Sequence, residues 1–386
     1  METLTVIESC NFQDHPTGGN LQFVKLIIRL FSPDLILVGL TTDKKHKIGK
    51  WTTLNIEGHS YNFFPAIRSY PGKKSIIPAR IKMYFGLLYY KRRILRKCTH
   101  NVITGTPEAI GVFYNVRNLK IFHFLHGTGN ALTVSRYVWA RPFDFLYDKW
   151  LIPKIARAYK ILAAADGQSI EELEKRSRGL IKAKRIVQFP IRVDDTIFKK
   201  MDKNEQRDNL MLQKNDVIVI TCGRLIKFKG WKFLIDSFKL FKEKYKNATF
   251  YFIGDGDDYN KILKYSSAQD LKKNVILTGR KDAEEIAIYL NAGDLFVMGS
   301  VQEGWSTTLV EAVCCGVPCV VTNFSSAKEI ITNGLNGYVV EDRDPVNFSN
   351  RMMDALLLDL TILPTKEIER FGLKTMEHDL LQMLND

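Results

Sequence analysis

The sequence predicts an α/β protein made of two doubly wound parallel-sheet domains. Short apolar runs, typical of buried strands, alternate with helical patterns through the second half of the chain. Such alternation implies parallel sheets covered by helices on both faces, with ligands bound beyond the carboxyl ends of the strands. The 386 residues are enough for two sizeable cores. A strand pattern ends just before Pro190, which marks the predicted divide.

The second half carries the clearer pattern. Its predicted strands are runs of four to six mostly apolar residues, and its predicted helices lie between them. The predicted strands are residues 217–221, 248–253, 274–278, 295–298 and 318–322, with helices at 231–245 and 282–291. In the first half we expect strands at residues 4–9, 121–125 and 185–187.

The stretch E-G-W-S-T-T-L-V-E places Glu303 and Glu311 eight residues apart across a predicted junction of loop and helix. The residues before it predict a short buried strand, and the residues from Leu309 onward change to a helical period. Glu303 is therefore expected in the loop, and Glu311 about one turn into the helix. Free N–H groups at a helix start bind phosphate, and neighbouring carboxylates accept hydrogen bonds from sugar hydroxyls. This geometry suits a nucleotide sugar.

A structural role for Glu311 is the alternative. Ser306, Thr307 and Thr308 are all available as N-cap residues of the predicted helix. If Thr308 were the cap, Thr308 and Glu311 would form a capping box and Glu311 would only stabilise the helix start.

The loop after the strand at 217–220 is rich in cations. Arg224, Lys227 and Lys229 lie between that strand and a helical pattern that begins near Trp231. Cations near a helix N-terminus oppose the helix dipole, by about 0.3–1 kcal/mol each when exposed. Their accumulation makes sense if an anion is bound, since Arg offers a planar fork of donors and Lys a compact charge to a diphosphate. A merely solvated loop is the alternative.

Further motifs accompany these two. In order they are G-R-L-x-x-x-K-G (223–230), F-I-G-D-G (252–256), V-I-L-T-G (275–279), the E-x7-E pair, E-A-x-x-x-G-x-P (311–318) and E-I-I-T-N-G-x-N-G (329–337). Together they resemble the family-4 glycosyltransferases of the GT-B fold over roughly residues 193–344. The resemblance implies two Rossmann-like doubly wound domains that face each other across a cleft.

The resemblance also implies roles for individual residues. Arg224 and Lys229 would hold the diphosphate, Glu303 the donor sugar and Glu311 the nucleotide ribose. Further predicted substrate-binding residues are Gly223, Arg280, Ser306, Thr307 and Thr308.

The first half matches the family more loosely. Gly18 and Gly19 fall where the family keeps a glycine-rich loop near the reaction centre, although two glycines after a strand are also typical of a plain turn. His126 falls where the family often has a histidine that touches the donor sugar, so it is predicted to be catalytic together with Glu303. His123, two residues earlier, is expected to be a core or sheet residue.

The predicted domains are residues 1–189, which would bind the acceptor, and residues 190–365, which would bind the nucleotide sugar. Residues 366–386 are helical in pattern and, by the resemblance, would cross back to the first domain.

The net positive charge of the chain comes from its first half. Residues 1–190 hold 30 Lys and Arg against 13 Asp and Glu, a net +17, so the remainder of the +14 chain carries −3. Residues 80–97 form a basic helical segment in which Ile81, Phe85, Leu88 and Leu95 recur at helical spacing. Such a helix can lie on an anionic membrane surface. The alternative is an ordinary solvated helix that packs on the sheet by this apolar stripe.

We therefore expect a glycosyltransferase of the hexosyltransferase class that moves a sugar from a UDP- or GDP-sugar with retention of configuration. The expected acceptor is a glycan or a lipid-linked precursor of a cell-envelope polysaccharide. A soluble or protein acceptor, or a GT-B nucleotide-sugar epimerase, is the alternative. No metal is expected, because the D-x-D string at Asp255 and Asp257 falls in a predicted turn of the F-I-G-D-G motif.

Other classes fit less well. A dinucleotide oxidoreductase needs G-x-G-x-x-G after the first strand, which the sequence lacks there. Nucleic-acid binding fits the charge but leaves the second half unexplained. With no signal-peptide pattern and no uncharged apolar run of about eighteen residues, a cytoplasmic protein is expected, peripheral on the inner face of the cell membrane if the basic helix binds lipid.

Overall fold

The structure, a computed structural model, describes residues 4–16, 19–70, 77–125, 142–164, 167–182, 185–360 and 365–385. Contacts divide the chain into two compact units. The first unit is Met1–Pro190 with Leu381–Asp386, and the second unit is Ile191–Leu380.

The first unit is built on an eight-stranded sheet. Its strands are β1 (Leu4–Ile7), β2 (Leu35–Thr41), β3 (Thr52–Ile56), β4 (His59–Arg68), β5 (Asn101–Thr104), β6 (Lys120–Leu125), β7 (Lys160–Ala163) and β8 (Ile186–Gln188). The strand order is β3-β4-β2-β1-β5-β6-β7-β8. Every neighbouring pair is parallel except β3 and β4. The order reverses between β1 and β5, as in a doubly wound sheet.

The helices that follow these strands bury apolar faces against the sheet. They are α1 (Gly19–Phe31), α2 (Ala79–Leu95), α3 (Pro107–Phe113), α4 (Asp144–Ile155) and α5 (Gly167–Arg176). The core below them includes Val38 of β2, Phe64 of β4, Met83 of α2 and Ile110 of α3, which are completely buried.

The antiparallel hairpin of β3 and β4 was not expected from the sequence. Glu57 and Gly58 form its two-residue turn with φ values of 50° and 83°. Hairpin turns of this kind need positive φ at both positions, and Glu rarely supplies it, so the signal that predicts such a turn is absent.

The second unit is built on a six-stranded sheet in which all neighbouring pairs are parallel. Its strands are β9 (Val217–Cys222), β10 (Ala248–Ile253), β11 (Val275–Gly279), β12 (Leu295–Met298), β13 (Cys319–Thr322) and β14 (Gly337–Val340). The order is β11-β10-β9-β12-β13-β14, so the reversal lies between β9 and β12. The predicted fold class of two parallel-sheet α/β domains is confirmed.

Local sequence signals explain where several helices of the second unit begin. Asp282 and Glu285 form a capping box at α9, and Asp344 caps α12, which has Pro345 in its first turn. The helices are α6 (Lys203–Asn209), α7 (Trp231–Lys244), α8 (Tyr259–Ala268), α9 (Ala283–Ala292), α10 (Thr307–Cys314), α11 (Ala327–Ile330), α12 (Pro345–Ala355), α13 (Thr365–Glu369) and α14 (Leu373–Asn385).

The prediction of one continuous terminal helix from residue 366 is wrong. Gly372 separates α13 from α14, and the backbone N–H of Leu373 donates to Asp195 Oδ1 at 3.4 Å. A glycine weakens a helix interior, and the Asp195 carboxylate supplies a partner for the start of the second helix. In the described part of the chain, none of the helices combines the length and the apolar character that crossing a membrane requires.

Gly230, which precedes α7, is predicted to be indispensable to the second unit. Its φ is 68°, and a methyl group there would lie 1.8 Å from the carbonyl oxygen of Gly299. We expect Gly230→Ala to lower the free energy of unfolding by about 3 kcal/mol, because left-handed strain and a backbone clash add together. Denaturant unfolding measures this change.

Gly279→Ala is the matched control. Gly279 also has positive φ, 75°, but open space surrounds its Cβ position. Strain alone should cost about 1 kcal/mol there. Equal losses in the two variants would show that the approach of Gly230 to Gly299 is not tight.

Candidate functional site

The loops that follow β9 and β12 meet at the reversal point of the second sheet. The two strands are parallel neighbours, with Leu295 opposite Val219 and Phe296 opposite Ile220. Beyond their carboxyl ends, the backbone N–H of Val301 donates to the carbonyl of Phe228 at 2.9 Å. This bond joins the turn after β12 to the cation-rich loop after β9.

Lys229 and Glu303 form an ion pair at this junction. Lys229 Nζ lies 2.5 Å from Glu303 Oε1, and Ser300 Oγ donates to the same oxygen at 2.6 Å. The Glu303 side chain is 15% exposed and that of Lys229 is 30% exposed. Both groups are therefore held in place yet open to a ligand. The sequence placed these two residues in separate motifs, and the fold brings them into contact.

Two backbone segments come unusually close to each other at this junction. Gly230 approaches Gly299, and Arg343 Nη1 donates to the carbonyls of Gly299 at 3.0 Å and Ser300 at 3.3 Å. The Arg343 guanidinium also stacks 4.7 Å from the Phe233 ring centroid, and burial lowers its pKa. Arg343 therefore fixes the turn that carries Glu303. Sequence reasoning missed it, because it lies outside every recognised motif.

Arg224 supplies an unpaired cation beside the ion pair. Its side chain is exposed and makes no hydrogen bond or ion pair with the residues that the structure describes. Gly223, Arg224, Lys229 and Ser300 line one pocket above the carboxyl ends of β9 and β12. The pocket is small, about 20 Å³, but two of its lining residues are cations, and neighbouring cations favour a bound anion.

The helix α10 begins at the same edge. Ser306 is its N-cap, and Ser306 Oγ accepts from the N–H of Leu309 at 3.4 Å. Thr307 and Thr308 lie in the first turn, where backbone N–H groups have no partner within the helix. Because the cap is Ser306, the capping box of Thr308 and Glu311 is excluded. Glu311 is free for another role.

Glu311 lies on α10 close to Lys229. Burial raises the pKa of Glu311 to about 7. Burial raises the pKa of the thiol of Cys222, the last residue of β9, and the charges of Glu311 and Lys229 also act on it. Arg224, Lys229, Glu303, Glu311 and the start of α10 are therefore gathered at one edge of the sheet.

The remaining predicted site residues are less connected. Arg280 follows β11, the edge strand two positions from β9, and its side chain is exposed. Asp255 and Asp257 lie exposed in a turn after β10. Gly19 begins α1, whereas Gly18 and His126 lie outside the described residues.

His123 is a core residue, as expected. It is completely buried in β6, its Nδ1 is 3.0 Å from the carbonyl oxygen of Thr104, and burial lowers its pKa to about 4.

Glu8 is a buried acid that the sequence did not single out. It follows β1 and is 1% exposed, and its Oε1 accepts a hydrogen bond from the N–H of Gly105, which follows β5. Burial raises its pKa to about 8, and the nearby charge of Glu108 adds to the shift. The sequence predicts Glu8 within the first strand, and nothing in the pattern indicates that this acid is buried, so only the fold reveals its burial.

One family model matches part of this chain, and several known proteins resemble it. Residues 202–377 match the family model described as glycosyl transferases group 1. A galactosyltransferase of Escherichia coli that acts on UDP-Gal and alpha-D-GlcNAc-diphosphoundecaprenol is 27% identical over 157 residues, which are 40% of each chain. The capsular polysaccharide biosynthesis glycosyltransferase CapM of Staphylococcus aureus is 30% identical over 255 residues, 63% of each chain.

Three of the relatives, the Escherichia coli galactosyltransferase among them, are aligned with this chain over only 35% to 42% of their own length. The fold is matched over the whole chain by the crystal structure of Anabaena Alr3699/HepE in complex with UDP. That structure has a TM-score of 0.71 and 17% identity, and the alignment covers all of both chains.

The raised pKa of Glu311 predicts a pH-dependent cost to stability. Its pKa is about 7 in the folded state and 4.5, the ordinary value, in the unfolded state, so the folded state keeps the proton that the unfolded state releases between these pH values. Stability should therefore fall as pH rises from 4.5 to 7. Glu311→Gln removes this ionisable group. The free energy of unfolding of the variant should therefore exceed that of the wild type by about 2 kcal/mol at pH 8 and by little at pH 4.5.

Denaturant unfolding at the two pH values tests this expectation. Glu243→Gln, which changes an exposed acid on α7, serves as the control and should follow the wild type. A Glu311→Gln variant with the same pH dependence as the wild type would contradict the burial of this carboxyl group.

Proposed function

We propose that this protein transfers a sugar from a nucleoside diphosphate sugar to a glycan acceptor. Its second half matches the family model of glycosyl transferases group 1, which supports this proposal. The observation that carries the proposal is the convergence of Arg224, Lys229 and Glu303 with the start of α10 at the reversal point of the second sheet. Doubly wound sheets bind nucleotides at this point.

The diphosphate would lie between the cationic loop and the start of α10. As the bond from sugar to phosphate breaks, negative charge grows on the leaving diphosphate. Arg224, Lys229 and the N–H groups near Thr307 and Thr308 are already in place to stabilise it. Lys229 has three donor positions, so it can keep its bond to Glu303 while it contacts a phosphate oxygen.

The two carboxylates would hold the rest of the donor. Oε1 of Glu303 is occupied by Lys229 and Ser300, so its second oxygen is the one that would accept from sugar hydroxyls. Glu311 would accept from the ribose hydroxyls, a role that its ionised form fills best. His126 and the segment at Gly18 and Gly19 would complete the sugar site, and Gly223, Arg280 and Ser306 would support the nucleotide.

The finer assignments follow the same resemblance. We infer retention of the anomeric configuration, a UDP- or GDP-sugar as donor, and a lipid-linked or polysaccharide acceptor of the cell envelope. The acceptor would be bound by residues 1–189 and the donor by residues 190–365, with residues 366–386 crossing back to the first domain. The relatives support the envelope assignment, because one is a capsular polysaccharide glycosyltransferase and another uses a diphosphoundecaprenol acceptor. The protein would act at the cytoplasmic face of the membrane.

Substitution of the two cations tests the diphosphate site. Arg224→Ala and Lys229→Ala should each weaken UDP or GDP binding by about tenfold or more, because each removes a charge-assisted hydrogen bond to phosphate. Turnover should fall further, by about 100-fold, since the charge on the leaving group grows in the transition state. Calorimetric titration with UDP, GDP and their sugars, followed by a product assay, measures both effects.

Lys227→Ala provides the matched control. Lys227 belongs to the same turn and is exposed, but it does not line the pocket with Arg224 and Lys229. Its loss should change affinity less than about threefold. Near wild-type turnover in Arg224→Ala or Lys229→Ala would refute the diphosphate assignment. Interconversion of donor sugars without any transfer would point to an epimerase.

The reaction is predicted to proceed without a divalent metal, because side chains and helix N–H groups neutralise the diphosphate. Treatment with EDTA should leave turnover within about twofold of the untreated rate. Asp255→Asn and Asp257→Asn should behave like the wild type for the same reason. Activity that EDTA abolishes and manganese restores would contradict the proposed roles of Arg224 and Lys229.

A further inference from the structure

Two helices of the first unit expose large apolar side chains side by side. On α2, the side chains of Ile81, Phe85, Leu88 and Tyr89 are between 42% and 79% exposed. On α4, those of Phe145 and Leu146 are 63% and 48% exposed. These six residues are called the α2–α4 surface. Single exposed apolar residues need no explanation, but a cluster that includes three aromatic rings does.

The α2 stripe is not the face that packs on the sheet. Met83, Leu87 and Ile94 fill the core and are completely buried. At 100° per residue, Ile81, Phe85 and Leu88 lie on the opposite side of the helix. The alternative from the sequence, that this stripe packs an ordinary helix on the sheet, is therefore wrong for these three residues. Only Leu95 of the stripe packs against the core.

Aromatic contacts make the two helices one surface. The Tyr84 ring of α2 lies 5.5 Å from the Phe85 ring and 5.7 Å from the Trp150 ring of α4, measured between centroids. Near the start of both helices, Tyr147 is close enough to Arg80 for the charge to affect the tyrosine pKa. The contact of Tyr84 with Trp150 therefore places α2 and α4 next to each other in the first unit.

Cations continue the apolar stripe. Ile81, Phe85, Leu88, Arg92 and Arg96 follow one another at intervals of four, three, four and four residues, so they share one face of the helix. Arg92 and Arg96 are exposed and make no ion pair with any residue that the structure describes. The sequence between Glu57 and Glu108 holds ten Lys or Arg and no acid. The helix α2 therefore carries no carboxylate of its own.

We propose that the α2–α4 surface docks the first unit onto an anionic lipid membrane, with the aromatic and aliphatic side chains in the interfacial layer and Arg92 and Arg96 at the phosphate headgroups. Amphipathic surfaces of this kind bury their apolar face in the boundary between headgroups and acyl chains and keep cations at the phosphates. A protein partner would need an acidic face that matches two free arginines, whereas a bilayer of anionic lipid offers negative charge and apolar depth together.

The docking itself does not depend on the proposed transfer. It rests on the proposed function in one respect, since a docked enzyme would take its acceptor from the membrane. A soluble acceptor is disfavoured if docking holds, because the first unit would face lipid beside the acceptor.

Vesicle sedimentation tests the proposal on the full chain. Wild-type protein should sediment with vesicles of phosphatidylcholine and phosphatidylglycerol, bind pure phosphatidylcholine more weakly, and be released in part by high salt. The double variant Phe85→Ser with Phe145→Ser should bind mixed vesicles at least about tenfold more weakly, because it removes two interfacial rings. Arg92→Glu with Arg96→Glu should lose the preference for phosphatidylglycerol.

Leu357→Ser is the matched control, because Leu357 is equally apolar and 82% exposed but lies in the second unit. It should bind vesicles like the wild type. UDP titration of every variant separates the two proposals, since a loss of vesicle binding with unchanged UDP affinity concerns docking alone. The docking proposal would be overturned if the wild-type protein did not sediment with the mixed vesicles. Equal sedimentation of the Phe85 and Phe145 double variant would do the same. Self-association that depends on these rings, without vesicle binding, would instead assign the surface to a second copy of the chain.

Discussion

The contact between Lys229 and Glu303 depends on a close approach of two backbone segments. Their loops leave adjacent strands, and a side chain at Gly230 would collide with Gly299. Arg343 also donates hydrogen bonds to the carbonyls of Gly299 and Ser300. Strand order brings the loops to one place, but the absence of a side chain at Gly230 sets the distance between the charges. The electrostatics of the site are therefore a consequence of backbone packing.

The first unit shows a related arrangement at its own reversal point. Glu8 follows β1 and accepts from the N–H of Gly105 after β5, so this bond crosses between the two strands where the order reverses. In the second unit the corresponding link is a partly buried ion pair, whereas here it is a buried acid whose pKa is raised to about 8. A neutral carboxyl group joins the loops without the charge that the second unit keeps available for a ligand.

The sequence predicted much of the second unit because its strands are continuous apolar runs between polar turns. Arg224, Lys229, Glu303 and Glu311 were found through motifs, and the fold gathers them. Their contacts were not predictable, since Lys229 and Glu303 are 74 residues apart and meet only through strand order. Arg343 was missed because it lies outside every recognised motif, and Glu8 was missed because burial of an acid leaves no local pattern. For α2 the sequence analysis identified one apolar stripe, and only packing shows that Met83, Leu87 and Ile94 form the buried face instead.

The two halves of the chain differ in net charge, and this difference bears on their proposed roles. Residues 191–386 carry −3, yet they hold the cluster of Arg224, Lys227 and Lys229 in one loop. The phosphate binding proposed for Arg224 and Lys229 would therefore be local and would not need a basic domain. The +17 of residues 1–190 cannot be explained by the diphosphate site, since none of its proposed phosphate-binding cations lies in that half. A broad positive field acts on extended anionic partners more than on one small ligand. Arg92 and Arg96 lie on the same face of α2 as three exposed apolar residues. This arrangement favours a partner surface that is both anionic and apolar.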